Sequence, residues 1–159
     1  MAEVVIFSSS NGHVTPDEIE RLTDHAAATD SPEGSLLVSW NDVQIRIRYL
    51  SPEDVIRGRA ELREFACSMN NDSEDGIEVL LERIAAVRNI ARCNVEPVFD
   101  STNKATGLLV SIARSFDRSF LLSEECLYDD FGRLWFGPPD TEPFATPEDA
   151  LIRQLDPRR

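Results

Sequence analysis

The chain of 159 residues carries 29 acids against 16 bases, a formal charge of −13, and 42% of its residues are hydrophobic. A single globular domain follows from a length of this order. The acid excess argues against a nucleic-acid or anionic-membrane partner, either of which needs a basic face. No apolar run approaches the roughly 18 residues of a membrane helix. The opening MAEVVIFSSS lacks the basic and long apolar stretches of a signal peptide, so a cytoplasmic protein is expected.

Val4 to Phe7 is a short apolar run ended by Ser8, Ser9, Ser10, Asn11 and Gly12, which reads as a buried strand and a polar turn. Thr15-Pro16-Asp17-Glu18 combines a cap, a proline at the first helical position and a capping-box acid. Ile19, Leu22 and Ala26 extend that helix to about residue 28. Leu36 to Trp40 is a strand, and Asn41-Asp42 suits a two-residue hairpin loop. Val43, Ile45, Ile47 and Tyr49 alternate with Gln44, Arg46 and Arg48, the pattern of a half-buried strand with one basic face.

Ser51-Pro52-Glu53-Asp54 repeats the helix-start signal, and Val55, Leu62, Phe65, Ala66 and Met69 carry the helix to about 69. Ile77, Leu80, Leu81, Ile84 and Val87 predict another helix to about 90. Cys93 to Phe99 reads as a strand whose Pro97 favours an edge or a bulge. A helix from about 103 to 117 presents Leu108, Leu109, Ile112 and Phe116 on one face. Phe120 to Leu122 is a strand, and Cys126 to Tyr128 with Arg133 to Phe136 form a hairpin. Residues 137–147 hold Pro138, Pro139, Pro143 and Pro147, and Thr146-Pro147-Glu148-Asp149 starts a short terminal helix.

These elements predict an α+β fold. The sheet is expected to be mixed and mostly antiparallel, with helices packed on one face, in an order compatible with two pseudo-symmetric β-α-β-β halves. Residues 1–136 form the domain. Residues 137–159 form a proline-rich arm and a helix packed on it. An arm that covers a sheet edge or reaches a second subunit makes a homodimer an expectation. Cys67, Cys93 and Cys126 are widely spaced and read as reduced core thiols.

The charge is uneven. Residues 1–42 hold eight acids and only Arg21, whereas residues 43–69 hold five arginines and four acids. Arg46, Arg48, Arg59 and Arg63 are a candidate anion- or partner-binding set. Ion pairing with Glu53, Glu61, Glu64 and the acids of the first helix is the plainer use for them.

The turns after the first strand and after the strand near Val95 form a second candidate site, because ligands of open sheets gather outside the carboxyl ends of strands. They supply Ser9, Asn11, His13, Asp100, Asn103 and Lys104. Asn71, Ser73, Asp75, Gly76 and Glu82 fall at the spacing of a loop that resembles an EF-hand calcium loop. Asn71 stands where that family has Asp, and Glu78 where it has an apolar residue. The stripe from Ile77 also needs a helix already running, so a capped helix start explains the acids and no metal or cofactor is expected.

No Walker loop, G-x-S-x-G elbow or dinucleotide fingerprint is present. The leading expectation is a non-catalytic protein-interaction or inhibitor-like module that meets a basic partner by electrostatic steering. Two alternatives stand beside it. One is a small-molecule sensor using residues 8–13 and 100–104. The other is a small enzyme built on His13, Asp100 and Lys104.

Overall fold

The structure, a computed structural model, describes residues 2–22, 26–31, 34–40, 42–68, 74–96, 104–131 and 134–136. Among these, eight strands form one sheet: β1 (Ala2–Ser8), β2 (Ala27–Asp30), β3 (Leu36–Trp40), β4 (Val43–Tyr49), β5 (Asn89–Glu96), β6 (Phe120–Ser123), β7 (Cys126–Tyr128) and β8 (Leu134–Phe136). They stand in the order β2-β3-β4-β5-β1-β6-β7-β8, and every pairing is antiparallel. The described helices are α1 (Pro16–Leu22), α2 (Pro52–Ser68), α3 (Glu74–Ala85) and α4 (Lys104–Arg114). None is long and apolar enough to cross a membrane.

The helix starts follow their caps. Thr15 Oγ1 accepts the Glu18 amide at 3.3 Å, and Ser51 Oγ accepts the Asp54 amide at 3.3 Å. Each satisfies a backbone donor that the first turn leaves open. In β4 the alternation holds residue by residue, with Val43, Ile45 and Ile47 buried and Gln44, Arg46 and Arg48 exposed.

The helices occupy both faces of the sheet, which corrects the expectation of one face. Val4 and Ile6 of β1 belong to a core with Ile19 of α1 and Leu108, Leu109 and Ile112 of α4. Phe7 belongs to a second core with Val55 and Leu62 of α2, Leu80 and Ile84 of α3, and Phe120. The reason lies in the unbroken run Val4 to Phe7: consecutive strand residues point to opposite faces, so an apolar run needs cover on both. Gly58 lets α2 lie close, because a Cβ there would meet Ile90 Cδ1 at 2.9 Å.

The order of a strand, a helix and three strands occurs in 2–49 and again in 89–136. In the sheet the leading strands β1 and β5 lie side by side, and each takes its other neighbour from the other segment.

Three further boundaries differ from the sequence reading. The first helix ends at Leu22, and Ala27–Asp30 is a strand paired with β3, its Ala28 buried opposite Val38. Alanine favours a helix locally, but here an unpaired edge of β3 takes the segment. The helix expected to reach 90 stops at Ala85, and Asn89 already pairs with Ser8. The strand expected at Cys93 to Phe99 is the central strand β5, and its last described residue is Glu96. It begins earlier than expected, at Asn89, and residues 97–99 lie outside the described residues.

α3 is helical from Glu74 onward, so the backbone at Asp75, Gly76 and Glu82 is not that of a calcium loop. Cys93 is fully buried, but Cys126 is half-buried and Cys67 is exposed on α2, so only one of the expected core thiols is in the core. The proline-rich arm and terminal helix lie outside the described residues.

Candidate functional site

The turn after β1 is held from several sides. The Ser8 carbonyl accepts the Arg88 amide at 2.9 Å. The Ser9 amide and hydroxyl both donate to the Asp117 carbonyl, at 3.0 and 3.2 Å. Ser10 Oγ accepts the Asp117 amide at 2.8 Å, and Asn89 Nδ2 donates to the Gly12 carbonyl at 2.8 Å. Asn11 and His13 are exposed. The His13 imidazole lies on the Tyr49 ring, with centroids 3.7 Å apart and planes within 6°. The Tyr49 hydroxyl accepts the Val14 amide at 2.9 Å, and Phe116 meets the Tyr49 ring edge-on at 6.5 Å.

Beside this stack is a pocket of about 170 Å³, lined by Ser10, Gly12, His13, Glu18, Ser115 and Phe116. It offers an imidazole, a carboxylate and two hydroxyls. Both hydroxyls are already engaged: Ser10 Oγ with the Asp117 amide, and Ser115 Oγ as donor to the Ile112 carbonyl at 2.5 Å. Burial pushes the Tyr49 phenol up to about 12 from 10.0, against the lowering pull of the Val14 amide. Tyr49 therefore stays a neutral hydrogen-bonding group over the physiological range.

Antiparallel pairing separates the two turns proposed to converge. Ser8 lies opposite Asn89, and Ala2 opposite Val95, so β1 and β5 release the chain at opposite ends of the sheet. Asp100 and Asn103 lie outside the described residues. Lys104 is the first residue of α4, and the pocket lies just past its last residue, Arg114. Eleven helical residues span about 16 Å at roughly 1.5 Å each. The structure thus gathers Ser9, Asn11 and His13 in one turn and puts Lys104 a helix length away.

The arginines also divide. Arg59 donates to the Val87 carbonyl at 3.2 Å and so ties α2 to the turn before β5. Arg63 is exposed on α2, and Arg46 and Arg48 are exposed on β4. None of these three makes an ion pair among the described residues, where the pairs are Arg57–Asp54 at 3.6 Å and Arg92–Glu3 at 2.7 Å. The acids of α1, Asp17, Glu18 and Glu20, are likewise exposed and outside any such pair.

Sequence reasoning singled out His13 but not its partners Tyr49, Glu18, Ser115 and Phe116. Tyr49 carried a signal: it ends the buried register of β4 with a hydroxyl, which a buried site has to satisfy. Among the described residues no group of three or more His, Cys, Asp or Glu side chains is placed to hold a metal ion. No family model matches the chain, and neither the curated proteins nor the solved structures yield a match.

Proposed function

We propose that the chain is a non-catalytic recognition module that receives a basic, extended segment of a partner protein along β2 and α1. The observation that carries this reading is the juxtaposition at that end of the sheet. Among the described residues β2 is an edge strand paired only with β3, and α1 packs against β2. α1 carries exposed Asp17, Glu18 and Glu20 and β2 carries exposed Asp30, with no cation paired to them among the described residues. An edge strand offers backbone groups to an incoming strand. The acids select a basic one and repel a second copy of this acidic chain. Long-range attraction to a chain of charge −13 speeds the encounter.

The test compares the wild-type chain with a variant carrying Asp17→Asn, Glu18→Gln and Glu20→Gln. Both are immobilised in a lysate of the source cells at low salt. The wild type should retain a basic protein that the variant loses, and about 0.3 M salt should release it, since the screening length falls well below 10 Å. Equal retention by both chains, or a retained partner without basic character, would remove the reading. Sedimentation of the purified chain across concentrations settles the homodimer in the same samples.

The pocket beside His13 favours a second reading, a small-molecule sensor. Its ligand would be small, because about 170 Å³ is below the roughly 300 Å³ of common ligand sites. A metabolite thermal-shift screen tests it, and His13→Ala should abolish any shift found.

A further inference from the structure

The sheet face that carries α2 grades from polar to apolar along three adjacent strands. β4 presents Arg46 and Arg48, with Leu50 just past its end; β5 presents Asn94, Arg92 and Ile90; β1 presents Glu3, Val5 and Phe7. Where α2 begins to cover this face there is a groove of about 290 Å³, with Val5, Leu50, Phe65, Ile90 and Leu122 among its walls. Gly58 of α2 also lines it, contributing space where another residue would contribute a side chain. Arg92 and Glu61, both exposed, stand on its polar side.

Arg48 lies directly opposite Arg92 in the β4–β5 register. Like charges facing each other weaken a sheet. Glu3 answers Arg92 at 2.7 Å. Arg48 and Arg46 have no such answer among the described residues, although the chain carries 29 acids. We propose that this groove binds a small amphipathic carboxylate, with its apolar tail beneath α2 and its carboxylate at Arg48 beside Arg92. The walls are apolar, Arg92 and Glu61 offset each other on the polar side, and Arg48, opposite Arg92 in the register, is the cation left over, so the complementary molecule is an anion with an aliphatic or aromatic tail. A neutral head group leaves Arg48 uncompensated, and a cationic one meets the facing guanidiniums of Arg48 and Arg92. The site is on the opposite sheet face from α1, so it stands apart from the recognition surface proposed above.

Decanoate, kept below its micellar concentration and titrated into the isotope-labelled full chain, tests the proposal. Backbone amides of Gly58, Phe65 and Leu122 should shift. Decanol and decyltrimethylammonium should bind about tenfold or more weakly, the difference that a charge-assisted hydrogen bond makes. Arg48→Gln is an exposed change whose melting temperature verifies folding, and it should weaken decanoate by a similar factor. Arg57→Gln, exposed on α2, should leave decanoate binding intact. Decanol binding as tightly as decanoate would overturn the proposal. So would undiminished binding by Arg48→Gln, shifts centred on His13, or no shift at all.

Discussion

The His13 imidazole and the Tyr49 ring lie face to face at 3.7 Å, and beneath that stack the Tyr49 hydroxyl holds the Val14 amide at 2.9 Å. The two contacts differ in weight. His13 is exposed, so its removal uncovers one face of Tyr49 and breaks no hydrogen bond of the buried backbone. Val14 is buried at 7% exposure, and Tyr49→Phe leaves its amide without an acceptor. A buried donor left unsatisfied costs about 1–3 kcal/mol, whereas loss of one aromatic stack costs about 0.5–1.5 kcal/mol. Tyr49→Phe should therefore lower the urea midpoint more than His13→Ala does. The reverse order would show that the stack, and not the hydroxyl, anchors the turn.

Two buried acids make the fold sensitive to alkali. Burial pushes the Cys93 thiol up to about 12 from 9.0, helped by the charge of Glu3, and it pushes Tyr49 to about 12 from 10.0. In both cases the native state keeps a proton that the unfolded chain releases at lower pH. Their contribution is thus fully present below about pH 9 and is lost as pH rises toward about 12. Urea midpoints should be flat near neutrality and fall above about pH 9. Cys93→Ala should shift the whole profile down through lost packing and also flatten its alkaline limb. An alkaline limb as steep in both Cys93→Ala and Tyr49→Phe as in the wild type would assign the loss to other groups.

Local signals in the chain sufficed where the deciding interaction is local. Thr15-Pro16 and Ser51-Pro52 start helices because caps act within one turn. The Val43 to Tyr49 alternation survives because one face of β4 is buried and the other wet. Ala27–Asp30 was illegible as a strand, since its state is set by pairing with Leu36–Ser39 and not by its own preference. The candidate site was legible only as a turn. His13 stands out as one of two histidines, but its ring partner lies 36 positions on, and no spacing rule connects them. The proposed meeting of that turn with Lys104 depended on strand direction, which hydrophobic patterns do not encode.

Asn89 and Asn11 should separate a structural asparagine from an idle one. Asn89 is 7% exposed and donates to the Gly12 carbonyl at 2.8 Å. Asn89→Ala should reduce stability by about 1 kcal/mol and speed hydrogen exchange at residues 12–14. The Ser9 amide should stay protected, because it donates separately to the Asp117 carbonyl. Asn11 is exposed, and Asn11→Ala should change neither quantity. Faster exchange throughout 9–14 in Asn89→Ala would mean that the turn opens as one unit.

The β6–β7 connection stores strain that can be removed. Ser123 pairs with Cys126, so Glu124 and Glu125 alone make the turn, with φ of 50° and 66°. A two-residue hairpin with both residues at positive φ is the arrangement that Asn-Gly favours. An L-residue with a long side chain pays about 1–2 kcal/mol at such angles, glycine almost nothing. The double change Glu124→Asn, Glu125→Gly should raise stability by about 1–2 kcal/mol, or the melting temperature by roughly 2–8 °C for a chain of this size. Glu125→Val, which places a β-branched residue at φ 66°, should lower it. Calorimetric melts of the three chains decide the matter. A fall in the Asn-Gly chain would mean that the glutamates make contacts worth more than the strain they impose.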